Sequence, residues 1–237
     1  MKSSTKVAIV TGASKGIGKT IAIGFGKMKL QTILIGRNSE DLKNVADDIS
    51  KEGGTQPVLF SVDITDSKKV KETVAEVAEK FGRIDILVNN AGIHYGGSLD
   101  LPEQDFKKML ETNLVAQLVF AKEVVPVMRK QQSGYIFNVS SRSGKVGFSG
   151  SGGYSASKFG LLGLSESLYR ELTPQGIKVT ALCPAWVNTQ MARQAGTPLD
   201  AEEMIQPEDL FETIRWLLNL SPGACVKEVV ITNPKSL

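Results

Sequence analysis

Tyr154 and Lys158 stand four residues apart in GGYSASKFG (152–160), where small residues give way to LLGLSESLYREL. On a helix, positions i and i+4 share a face. A phenol ionises near pH 10 and is a poor acid–base catalyst at neutrality. An adjacent ammonium favours the phenolate. The pairing therefore predicts a tyrosine drawn toward the working range, able to give a proton to a substrate oxygen or take one from it. The spacing alone fits a surface pair equally well, and its neighbours give it weight. NVSS (138–141) closes an apolar run and offers Ser141, whose hydroxyl can bond a substrate oxygen. NNAG (89–92) closes another and brings polar side chains and tight backbone to the same edge. Asn113 lies in an otherwise apolar helical stretch, where it is either a satisfied core amide or the opening of a polar path.

A second set of residues concerns phosphate. TGASKGIGKT follows the apolar run KVAIV and carries Gly12, Gly16 and Gly18, a G-x-x-x-G-x-G pattern. Glycines at a strand-to-helix turn let backbone approach a pyrophosphate, and the helix N-terminus adds free N–H groups and positive potential. A dinucleotide with a free ribose 2′-hydroxyl is commonly met by an acid after the second strand. Here that position reads LIGRN, with Arg37 and no acid before Glu40, while Lys15 lies inside the glycine loop. Two cations suit a 2′-phosphate and predict NADP(H) as cofactor.

Elements that position these groups alternate along the whole chain. KVAIVTG, TILIG, PVLFSVDIT, IDILVNNAG, GYIFNVSS, IKVTALCPA and KEVVITN read as strands. Between them lie helical stretches, the first beginning near Gly16. SKKVKETVAEVAEKFG shows Val70, Val74, Val77 and Phe81 on one face. DFKKMLETNLVAQLVFAKEVVPVMRK reads as a helix kinked at Pro126, and another helix runs from Tyr154 to Leu172. Near-continuous apolar strands alternating with helices predict an α/β fold. The expected architecture is a Rossmann-type doubly wound parallel sheet of about seven strands, with helices on both faces. No linker divides residues 1–237, so one domain is expected. At 41% hydrophobic and 22% charged residues the composition is that of a globular protein. A net charge of +3 without a basic block argues against nucleic acid. Two distant cysteines and no long apolar stretch argue against a disulfide framework, a metal site or a membrane span, and point to the cytoplasm. Cys183 reads as a small buried hydrophobe. His94, the only histidine, is read as an exposed loop residue in preference to a lining of the substrate mouth.

Together these motifs resemble the short-chain dehydrogenase/reductase family, in its NADP-preferring branch. The matching segments are TGASKGIG (11–18), Asp63 in VDIT, NNAG, Asn113 in ETNL, Ser141 in NVSS, YSASK (154–158) and CPAWVNTQM (183–191). The resemblance implies a catalytic tetrad of Asn113, Ser141, Tyr154 and Lys158 acting on a carbonyl or secondary alcohol. Tyr154 would exchange the proton, Ser141 would polarise the carbonyl, Lys158 would tune Tyr154 and hold the nicotinamide ribose, and Asn113 would hold a relay water. It also implies a cofactor shell of Gly12, Ser14, Lys15, Gly16, Ile17, Gly18, Arg37, Asp63, Ile64, Asn90, Ala91, Gly92, Pro184, Val187 and Thr189, besides Tyr154 and Lys158. A homodimer or homotetramer is expected by the same analogy. The chain departs from the family at Pro184-Ala185, where Pro-Gly is usual, and ends in CVKEVVITNP without the TG…DGG of ketoacyl-carrier-protein reductases. That ending argues against fatty-acid synthesis, although the N-terminal half looks like that branch. The stretch at about 190–206 is expected to form a short substrate lid and so an open site. Alternatives are a 3-ketoacyl-thioester, pteridine or sugar ketone reductase, or a non-catalytic nucleotide-binding regulator on the same fold.

Overall fold

The computed structural model describes residues 5–236, and the N-terminal MKSS lies outside them. Seven strands form one parallel sheet: β1 (Val7–Thr11), β2 (Gln31–Gly36), β3 (Val58–Ser61), β4 (Ile86–Asn89), β5 (Gly134–Val139), β6 (Ile177–Pro184) and β7 (Glu228–Ile231). Their order is β3-β2-β1-β4-β5-β6-β7. The chain winds outward from β1 to β3, then crosses back to β4. β1 and β4 thus flank the point where the order reverses and a crevice opens at the strands' C-terminal ends.

The described residues form eight α-helices beside the sheet: α1 (Gly16–Lys27), α2 (Ser39–Lys51), α3 (Ser67–Phe81), α4 (Glu103–Leu110), α5 (Ala116–Gln131), α6 (Gly152–Leu172), α7 (Gln190–Gln194) and α8 (Pro207–Leu218). Side chains of a strand alternate between faces, so an all-apolar β1 feeds two cores. Ala8 and Val10 meet Ile21 and Phe25 of α1, Val45 of α2 and Ile214 of α8. Val7 and Ile9 meet Val74 of α3, Phe120 of α5 and Leu172 of α6. This double burial is why the strands read as continuous apolar runs.

Local chemistry sets the boundaries. Asn38 caps α2 by accepting from the N–H groups of Glu40 and Asp41, at 2.9 and 3.3 Å. Asp66 caps α3, which ends at Gly82 with φ +70°. Three of the differences from the sequence expectation have a visible cause. The third strand stops at Ser61, because Asp63 accepts from the Thr65 N–H and hydroxyl, at 3.0 and 2.8 Å, and closes a turn. The helix expected around Asn113 divides into α4 and α5 about a π-helical turn, Glu111–Val115, and α5 runs on through Pro126. α6 begins at Gly152, not Tyr154. Packing there leaves no room for a side chain: a Cβ on Gly153 would lie 2.2 Å from Leu101, ahead of α4, and 2.8 Å from Met109 of α4.

Candidate active site

The glycine turn between β1 and α1 carries Gly12 and Gly16 at φ +64° and +54°, a conformation that L side chains rarely adopt. Ser14, Lys15, Gly16 and Ile17 line one end of a cleft of about 1080 Å³. Gly18 does not line it. It is buried beneath the turn, where a Cβ would sit 2.3 Å from the Gly12 carbonyl oxygen and 2.4 Å from Asn90 Nδ2. This packing lets the turn fold tightly. Asn90 fastens the same turn, donating to the carbonyls of Thr11 (2.9 Å) and Gly12 (3.3 Å). This backbone cradle, closed to side chains and opening on α1's N-terminus, fits a pyrophosphate.

Arg37 follows β2, is exposed, and lines this end with Lys15, whose Nζ donates to Gln190 at 3.3 Å. One acid joins them. Asp63 lines the cleft, and its carboxyl is held below the usual range by the Thr65 backbone hydrogen bond, with the Arg37 charge acting in the same direction. Val62, Ile64, Ala91 and Gly92 also line the cleft, as do Pro184, Val187 and Thr189 from the end of β6.

At the other end stand Ser141, Tyr154 and Lys158. Ser141 ends β5's extension, and its oxygen accepts from the Ser143 N–H at 3.0 Å. With that lone pair engaged, its O–H is left to donate. Tyr154 and Lys158 share a face of α6, the ammonium 5.7 Å from the phenol ring centroid. Lys158 is buried, and its Nζ donates to the Val139 carbonyl at 2.9 Å. Burial lowers its pKa to about 8. The expected drop of the Tyr154 pKa is not what these surroundings produce. Burial pushes the phenol up to about 12, against a downward pull from its hydrogen bond with Ser141. Desolvation outweighs that hydrogen bond.

Asn113 stands in the π-helical turn, fully buried and apart from the cleft lining. Its Oδ1 accepts from the Ile93 N–H at 2.8 Å, and its Nδ2 donates to the Ile93 carbonyl (2.9 Å) and Ser157 Oγ (3.0 Å). The side chain is a satisfied core amide that ties the segment after β4 to α6. A Cβ on Gly92 would lie 3.2 Å from Asn113 Oδ1 and 3.7 Å from Lys158 Nζ, so these three residues meet at one point.

His94 is half-buried and lines the cleft. Its ring packs edge-on against Tyr154 with centroids 4.9 Å apart, and burial lowers its pKa. The exposed-loop reading of His94 is corrected. Tyr95, Arg142, Phe148, Trp186 and Met191 also line this end. Tyr95, Arg142 and Phe148 lie outside the matched segments, marked only by position after a strand end, whereas Trp186 and Met191 fall within CPAWVNTQM. Cys183 is buried in β6 with its thiol pushed up to about 12, mainly by desolvation. Among the described residues no cluster of His, Cys, Asp or Glu could hold a metal, and no helix is long and apolar enough to cross a membrane.

Comparison with known proteins agrees with this fold. Residues 6–200 match the sequence pattern of the short chain dehydrogenase family. The crystal structure of a betaketoacyl-[ACP] reductase (FabG) from Bacteroides thetaiotaomicron is 45% identical, with TM-score 0.88 over 98% of this chain and 99% of that one. An actinorhodin polyketide ketoreductase variant with NADPH is 30% identical, with TM-score 0.90 over 98% of each chain. An uncharacterized oxidoreductase of Bacillus subtilis, YxjF, is 35% identical over 88% of this chain and 81% of its own.

Proposed function

The chain belongs to the short-chain dehydrogenase family, and from that premise we propose that it is an NADP(H)-dependent oxidoreductase of ketones and secondary alcohols. The observation that carries the reading is one cleft lined by the glycine turn and Arg37 at one end and by Ser141, Tyr154 and Lys158 at the other. The phosphate cradle and paired cations suit a 2′-phosphorylated dinucleotide. Neighbours with NADPH support it. When bound there, that cofactor supplies or accepts the hydride.

The protein's own residues handle the proton. Ser141, its lone pair occupied by the Ser143 N–H, donates to the carbonyl oxygen and fixes its direction. Tyr154 Oη hands its proton to the same oxygen as charge develops there. A pKa near 12 keeps the phenol protonated until then. Lys158, ammonium-bearing below about pH 8, stabilises the resulting phenolate. Asn113 positions the segment after β4 against α6. In oxidation the steps reverse. Residues 190–206 form a lid at the open end of this single domain, and an oligomer in the cytoplasm is the expected setting.

Tyr154→Phe tests the assignment. It should reduce NADPH consumption against a carbonyl panel by 10³-fold or more, roughly the size of a lost positioned acid. NADPH binding, read by fluorescence, should change less than threefold. Retained turnover would overturn the role of Tyr154. NADPH binding without turnover of any carbonyl by the parent protein would favour a non-catalytic regulator. A narrower reading, a 3-ketoacyl-thioester reductase, is favoured by the 45% identity to the Bacteroides protein over nearly the whole chain. A clear preference for acetoacetyl-CoA over simple ketones would establish it.

A further inference from the structure

A tyrosine ring turns about two side-chain bonds, so a phenol that must meet one substrate oxygen needs something to hold it. His94, in the segment after β4, lies against it. The imidazole packs edge-to-face on the Tyr154 ring, with centroids 4.9 Å apart and planes at 67°. Burial lowers the His94 pKa, so at neutral pH this ring adds no second cation beside Lys158. Its backbone neighbours are pinned on both sides. Ile93 donates its N–H to Asn113 Oδ1 at 2.8 Å, and its carbonyl accepts from Asn113 Nδ2 at 2.9 Å. The Tyr95 N–H donates to Met109 Sδ at 3.4 Å.

The same asparagine reaches Tyr154 from behind. Asn113 Nδ2 also donates to Ser157 Oγ at 3.0 Å, and Ser157 Oγ donates to the Tyr154 carbonyl at 2.7 Å. Contacts therefore run in a closed circuit. They pass from the Tyr154 ring to His94, through Ile93, Asn113 and Ser157, and back to the Tyr154 backbone. Ring and backbone of one residue are thus referred to a single buried amide. We infer that His94 is a positioning residue for Tyr154: its ring keeps the phenol turned toward the oxygen that Ser141 bonds, and Asn113 keeps His94 in place. The role rests on the carbonyl-reductase reading above and adds a residue to it. His94 exchanges no proton with the substrate in this role, so another aromatic ring can replace it.

The test pairs kinetics with a resonance. The assay uses NADPH with acetoacetyl-CoA, or with the fastest ketone of the carbonyl panel where the thioester is inert. His94→Ala should lower kcat about 10- to 100-fold and move KM for NADPH less than about threefold, as expected for a misplaced acid beside an intact cofactor end. His94→Phe should restore kcat to within about threefold of the parent protein, and His94→Gln, polar but without a ring, should not. His94 is the only histidine, so the tag-free chain gives one imidazole Cε1–H resonance. Tyr154→Leu should shift that resonance, and Tyr154→Phe should leave it within a linewidth. Full activity in His94→Ala, or rescue by Gln and not by Phe, overturns the positioning role and leaves the reductase reading intact. A resonance indifferent to Tyr154→Leu does the same. If kcat in the His94 variants only follows their melting temperature, His94 braces the fold and the role fails. Turnover of no carbonyl by the parent protein removes the reductase reading, and this role with it.

Discussion

Lys158 shows how a single residue can oppose the stability of the fold around it. Its folded pKa is about 8 against an ordinary 10.5. Between those values the unfolded chain holds more protons than the folded one, so stability rises with pH across that window. Below pH 8 the full penalty is present, about 3 kcal/mol from the shift. The hydrogen bond to the Val139 carbonyl offsets about 1 kcal/mol of what its removal would return. Lys158→Met should therefore stabilise the protein by about 1–2 kcal/mol at pH 7, with the advantage vanishing toward pH 11, while activity is lost. Thermal unfolding across pH checks this, and a lower melting temperature at pH 7 would refute it. The parent protein's ketone reduction should fall as pH rises through about 8, where the ammonium is lost. At the cofactor end, Arg37→Ala should weaken NADPH about 10- to 100-fold, the size of one charge-assisted hydrogen bond. NADH affinity should move less than threefold, and equal losses would deny a 2′-phosphate role.

Elements that repeat a pattern were legible in the sequence, and elements that break one were not. α3 announces itself through Val70, Val74 and Val77, and β1 through five buried residues in a row. The α/β order follows from such runs, because burial on two faces leaves strands without polar interruptions. The π-helical turn at Glu111–Val115 had no such signature, since a one-residue change in helical pitch leaves the local composition unchanged. Its cause is tertiary: the turn delivers Asn113 to the Ile93 backbone and Ser157. Asn113→Ala should leave those buried partners unmet and cost about 2–4 kcal/mol in urea unfolding. Asn113→Asp keeps the acceptor for the Ile93 N–H and should lose less of it. The close approach of Gly18 to the Gly12 carbonyl was not legible, because a glycine that must admit phosphate and one that must admit a carbonyl look alike in sequence.

At the scale of the whole molecule, the cleft depends on the chain's two halves meeting. The half up to β3 contributes the glycine turn, Arg37 and Asp63, and the half from β4 contributes Ser141, Tyr154 and Lys158. Motifs identified both halves, since each lies at a strand end. The contribution of the C-terminal sequence was hidden, because it matches no motif. Asn233, in the ending CVKEVVITNP, is buried beside the segment that leaves β6. Its Oδ1 accepts from the Trp186 N–H at 3.0 Å, and its Nδ2 donates to the carbonyls of Trp186 and Glu203, each at 3.1 Å. One amide thus joins the C-terminal segment to Trp186, just after β6, and to Glu203, while Val187 pairs with Ile205 in a parallel bridge. Asn233→Ala removes three buried hydrogen bonds and should cost about 2–4 kcal/mol of stability. Because Val187 and Thr189 lie between its anchors, KM for NADPH should rise severalfold with kcat changed less. Asn233→Asp, able to accept from Trp186 but not to donate, should fall between. Loss of stability with an unchanged KM would show that the C-terminal clamp braces the fold without setting the cleft.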